Sequence, residues 1–155
     1  MVVATNRKAF RATERTAMYD TILVTLDGTS TDRAIIEHVK KLATMAHSRL
    51  VLLHVADGWA ARTYGPDAVS PEISADLAYL EKVRAEFEAA SIPAEAELAY
   101  GDSATEIIKW VQEKGCDLVA MSTHGHRLIQ DIFLGTTATR VQHNISVPVL
   151  LLRAK

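Results

Sequence analysis

Two short segments carry residue types that could do chemistry. The first is Asp27-Gly28-Thr29-Ser30, a carboxylate, a glycine and two hydroxyls directly after an apolar run. The second opens with Ser122-Thr123-His124-Gly125 and closes with Gly135-Thr136-Thr137. The free N–H groups and positive dipole end of a helix start attract phosphate. Gly135 would let a phosphate approach the backbone closely, and Thr136 and Thr137 add hydroxyl donors. The same residues fit a glycine turn followed by an ordinary threonine N-cap, and these two readings stand level at this stage. Asp27 is the one acid that can be placed at such a site, and it would serve equally well to cap the helix after it.

The other reactive residues point to less. His124 and His126 flank Gly125, but a structural zinc site takes four ligands and the sequence offers no third, so no metal is expected. His54 ends an apolar run and reads as a core histidine with its hydrogen bonds satisfied. Arg127 reads as a solvated loop charge. The single cysteine, Cys116, excludes a disulfide within the chain and reads as a small buried residue; a reducing, cytoplasmic location is expected. No general base stands beside the phosphate-type segment, so no enzymatic activity is assigned.

The elements that must position these residues follow from periodicity. Residues 21–26 are apolar and β-branched, a buried strand. Ile35, Val39, Leu42 and Ala46 recur at helical spacing, with Thr29 or Ser30 as N-cap. Residues 50–55 form a second buried strand, and residues 57–71 read as a long connection holding Trp59 and Tyr64, which would either cover a site or pack the loop. Ser70-Pro71-Glu72 starts a helix whose inner face is Ile73, Leu77, Leu80, Val83 and Phe87. Residues 94–100 alternate as a more exposed strand. Ser103-Ala104-Thr105-Glu106 has capping-box form, and Gly115 closes that helix. Residues 117–121 are a buried strand, 136–143 a helix and 147–152 a last apolar strand. Strict β-α alternation implies a parallel sheet with helices on both faces. Ligands of such sheets bind beyond the carboxyl ends of the strands where the winding reverses. The strongly apolar last strand, with Pro148 near its start, reads as an edge that pairs with a second copy in a homodimer.

Composition sets outer bounds. The 155 residues are 48% hydrophobic and 23% charged, values of an ordinary globular domain with one core. A net charge of −2 gives no field favouring nucleic acid or an anionic membrane, and no apolar run approaches the roughly 20 residues a bilayer needs. Residues 1–17 carry Arg7, Lys8, Arg11 and Arg15 against Glu14 alone, with no apolar stretch of the kind a secretory signal requires. The division expected is a basic extension over 1–17 and one domain over 18–155.

Five segments in order resemble the universal stress protein family: Tyr19-Asp20-Thr21-Ile22-Leu23-Val24 with Asp27; Leu53-His54-Val55; Gly115-Cys116-Asp117-Leu118-Val119; Ser122-Thr123-His124-Gly125 through Gly135-Thr136; and Val147-Pro148-Val149-Leu150. The fourth is similar to the family's nucleotide-binding signature, with Ser122 in place of the first glycine. The resemblance implies a flavodoxin-like, adenine-nucleotide-hydrolase-like α/β domain with a five-stranded parallel sheet of order 3-2-1-4-5, dimeric through the fifth strand. It implies ATP, with Mg2+, as cofactor. It places Thr25 and Asp27 near the adenosine and Val55 by the base. Met121, Ser122, His124 and Gly125 would line ribose and phosphates, and Gly135, Thr136 and Thr137 would hold the phosphate chain. The function implied is a stress-response protein acting as a nucleotide-sensitive dimer, with slow hydrolysis or autophosphorylation permitted. The alternative is a member that binds no nucleotide and serves as a dimerisation or protein-interaction module. A serine at 122 bears on that choice, because a Cβ is costly wherever φ is positive or a ligand approaches closely.

Overall fold

Residues Thr21–Leu26 form strand β1, sheltered on both faces. A short apolar run finds such shelter in a parallel sheet covered by helices on either side, and that is the arrangement in this computed structural model, which describes residues 18–123 and 135–153. After β1 come α1 (Asp32–Ala46), β2 (Arg49–Ala56), α2 (Trp59–Tyr64), a 3-10 turn (Gly65–Asp67) and α3 (Pro71–Ala89). Then follow β3 (Ala94–Tyr100), α4 (Ser103–Lys114), β4 (Leu118–Thr123), α5 (Thr136–Asn144) and β5 (Val149–Arg153). The strands make one parallel sheet in the order β3-β2-β1-β4-β5, as expected.

Strand alternation divides the core into two layers. Ile22, Val24 and Leu26 of β1 point to the side of α1 and α3, where they meet Ile35, Val39, Leu80 and Phe87. Leu23 points to the side of α4 and α5, with Ile107, Val111 and Val141. Each fully buried side chain of this size stabilises the fold by about 1.5–3 kcal/mol, so β1 and its two neighbours anchor everything that leaves their carboxyl ends.

Several local expectations need correction. The expected caps Thr29 and Ser30 do not cap α1: Thr31 flanks it, with no side-chain cap bond. The hydroxyls of Thr29 and Thr31 turn instead to Asp27, at 2.7 and 3.2 Å, and Asp32 takes over the amides of the turn. The cap of α4 is Asp102 rather than Ser103, its carboxylate accepting from the amide and hydroxyl of Thr105 at 3.0 and 2.6 Å. Residues 57–71 are not one unstructured connection. They hold α2, whose buried Ala61 packs with Ala56, Ala68 and Ile73. Trp59 and Tyr64 meet edge to face at 5.8 Å on its surface. The expected inner-face residue Leu77 of α3 is 50% exposed. The last strand begins at Val149 rather than Val147, because Pro148 has no N–H to give a ladder and offers only its carbonyl, to Val119. The other signals hold: Ser70 caps α3 through the Ile73 amide, and Gly115 closes α4 at φ +61.

Candidate functional site

The winding of the sheet reverses between β1 and β4, which pair directly. A crevice forms where their connections lead to opposite faces. A cavity of about 460 Å³ opens there, within the size range of small-molecule sites. It is lined by Thr25, Asp27, Val55, Met121, Ser122, Gly135, Thr136 and Thr137, eight of the ten residues singled out from sequence. The other two, His124 and Gly125, lie outside the described residues, as do His126 and Arg127.

Strand ends and helix starts supply distinct walls. The end of β1 brings Thr25, Leu26 and Asp27, and the end of β2 brings Leu53, His54, Val55 and Asp57. The starts of α4 and α5 bring Ser103 and residues 135–138. Asp57 and Ser103 were not anticipated, yet Asp57 directly follows β2 and Ser103 opens α4 just beyond the end of β3, the region the crevice rule would have flagged. Asp32 was also missed. It is 1% exposed, and burial pushes its carboxyl up from the ordinary range, against the hydrogen bonds from Tyr79 and from the Asp27 and Gly28 amides. His54 has the satisfied bonds expected of it. Its Nδ1 lies 2.8 Å from the Leu26 carbonyl oxygen and its Nε2 3.4 Å from Asp76 Oδ2, but it stands in the cavity wall.

The start of α5 is open. Its first intrahelical bond runs from the Thr139 amide to the Gly135 carbonyl, so the N–H groups of residues 136–138 have no intrahelical acceptor. Among the described residues no side chain caps this end. Gly135 has φ −52 and ψ 150, a conformation open to any residue, and a Cβ there would meet nothing within 4 Å. The glycine is therefore not required by the backbone; it keeps space clear in front of the helix. Arg140, one turn further on, is tied to Asp102 through both nitrogens at 3.0 and 2.9 Å, which joins α5 to the start of α4.

Ser122 lies in β4 opposite Leu152 without a positive φ, so its Cβ adds no backbone strain. Its Oγ is enclosed and has no hydrogen-bond partner among the described residues. Among the described residues no group of three histidine, cysteine, aspartate or glutamate side chains is placed to hold a metal ion. No helix of the described residues is long and apolar enough to cross a membrane.

Topology and cavity define a doubly wound α/β protein with a crevice at its switch point. The sequence model of the universal stress protein family matches residues 18–153, and the chain belongs to that family. Universal stress protein MJ0577 of Methanocaldococcus jannaschii is 25% identical over 157 residues, covering 89% of this chain and 97% of the relative. Its solved structure superimposes with a TM-score of 0.71 at 26% identity, over 89% of this chain and 98% of that one. Universal stress protein Slr1230 of Synechocystis is 28% identical over 132 residues, 85% of this chain; the match spans 42% of the relative's length. A universal stress protein solved in complex with cAMP shares the fold, with a TM-score of 0.66 at 17% identity over 88% of this chain and 98% of that one.

Proposed function

We propose that the chain binds ATP, carried in with Mg2+, in the crevice between β1 and β4, and acts in the cytoplasm as a nucleotide-sensitive homodimer joined through β5. The observation that carries the reading is the start of α5, which no side chain among the described residues caps and which faces the cavity beside Gly135. Anions favour such an end, because its N–H groups and dipole complement negative charge without reorganisation. Thr136 and Thr137 add hydroxyls to it. On the opposite wall Asp27 offers acceptors to sugar hydroxyls or an exocyclic amine, and Thr25, Val55 and Met121 give the base and ribose a mainly apolar surface. His124 and Gly125 complete the set of residues assigned to ribose and phosphates. Magnesium usually arrives on substrate phosphates with its own waters rather than in an all-protein cage, and this wall suits that mode. The relative crystallised with cAMP supports an adenine nucleotide as the ligand class. Residues 1–17 would be a basic extension outside the domain.

The half-buried apolar residues of β5 lie on an open edge of the sheet, and a second copy would cover them. A member of the family without nucleotide is the competing reading. The enclosed Ser122 hydroxyl favours it, since no ligand reaches that oxygen in this geometry. Native mass spectrometry of the purified protein, followed by a thermal shift with ATP and Mg2+, decides between them. Co-purified adenine nucleotide and a raised melting temperature support the proposal. No shift at millimolar ATP contradicts it. Sedimentation with and without ATP tests the dimer.

A further inference from the structure

Helix α3 reaches the end of β1 through two side chains close together on one face. The Tyr79 hydroxyl donates to Asp32 Oδ2 at 2.7 Å. Asp76 faces His54 Nε2 at 3.4 Å, and His54 Nδ1 holds the Leu26 carbonyl. Asp32 in turn accepts from the amide of Asp27 at 3.1 and 3.2 Å and from that of Gly28 at 2.9 Å. The polar backbone groups with which β1 leaves the sheet are thus gripped by side chains that α3 grips. Gly28 has φ +80, so the turn depends on that grip and on its glycine together.

We propose that Asp32 and Tyr79 are positioning residues of the cavity: the strut between them fixes the turn after β1, so that the way Asp27 meets a ligand is set from α3. Successive N–H groups at such a turn make a seat for an anion, and Asp32 fills that seat from within the chain. A ligand phosphate therefore goes to the start of α5, while the turn after β1 is left to recognise hydroxyl or amine groups. The identity of the ligand rests on the nucleotide reading above; the strut does not.

The test uses the full chain with Tyr79→Phe, Asp32→Asn and Asp32→Val. Two quantities are read: amide hydrogen exchange at Asp27, Gly28 and Val24, and the dissociation constant for ATP with Mg2+. Tyr79→Phe is expected to speed exchange at Asp27 and Gly28 about tenfold with Val24 unchanged, and to weaken binding about fivefold. Asp32→Asn keeps an acceptor oxygen and is expected to weaken binding about twofold, Asp32→Val about tenfold or more. Exchange at the two amides within about twofold of the parent in Tyr79→Phe would overturn the inference, as would equal effects of Asn and Val. A uniform rise that includes Val24 would mean lost stability rather than lost positioning, and also overturns it. If Asp32→Val fails to fold, Tyr79→Phe decides alone. If the parent binds no nucleotide while Tyr79→Phe still frees the two amides, the strut stands and the nucleotide reading falls.

Discussion

Replacing Gly135 by alanine should separate folding from binding. At φ −52 and ψ 150 an alanine is unstrained, and its Cβ meets nothing within 4 Å. Losing glycine's freedom in the unfolded chain stabilises by about 0.4–1 kcal/mol. Alanine is the poorer N-cap by a similar amount, and no side-chain cap bond exists to be lost. The two effects offset, leaving a net change within about 0.5 kcal/mol and a melting temperature within roughly 2 °C of the parent. Binding responds differently. In the proposed complex the added methyl would crowd a phosphate seated at the N–H groups of Thr136 and Thr137. A hydrogen bond to a charged partner contributes about 1.5–3 kcal/mol, so losing one weakens ATP roughly ten- to hundredfold. Calorimetric titration with ATP and Mg2+ reads this directly, with adenosine as control because it has no phosphate to displace. An ATP dissociation constant within about twofold of the parent, in a protein that melts normally, would refute the assignment of the phosphates to α5.

Three further outcomes are expected. Burial pushes the Cys116 thiol up to about 11; at about pH 7.5 less than roughly a thousandth is thiolate, so a disulfide reagent should label the native protein far more slowly than the unfolded one, and rapid native labelling contradicts that burial. Arg140, then Thr105, hold the Asp102 carboxyl well below its ordinary range. A depressed carboxylate contributes stability above its unfolded value of about 4, and that contribution fades as pH falls toward its folded value. The melting-temperature gap between the parent and Arg140→Gln should therefore be steady above about pH 5 and shrink on further acidification; a gap that widens in acid would be the wrong sign. Ser122→Ala removes a hydroxyl with no partner among the described residues and should raise stability by up to about 1 kcal/mol in urea titration; a clear loss would show that the hydroxyl is bonded.

The sheet was legible because its central strands are continuous apolar runs and its helices repeat at helical spacing, which fixes an alternating α/β order. Strand order and the placement of the loops after β1 and β4 in one crevice came from the resemblance and from the switch-point rule. What escaped was polar. Reading α3 by its apolar residues puts Leu77 inward, whereas the inner positions beside the cavity go to Asp76 and Tyr79, which can be there because His54 and Asp32 are their partners. Hydrophobic periodicity has no term for a buried polar side chain whose partner is distant in sequence. The same blindness hid Asp32 and displaced the cap of α1. Helix α2 escaped for another reason: six residues with one buried alanine give too little pattern to distinguish a short helix from a loop.

The central claim is that ATP occupies the crevice with its phosphates at the start of α5. Its most direct measurement is an amide-resolved NMR titration of the full chain with ATP and Mg2+. The account predicts saturable shifts at Thr136, Thr137 and Val55, with those at Thr136 and Thr137 absent when adenosine replaces ATP. No movement at these three positions at millimolar ATP, or movement of Thr136 and Thr137 that is equal with adenosine, would contradict it.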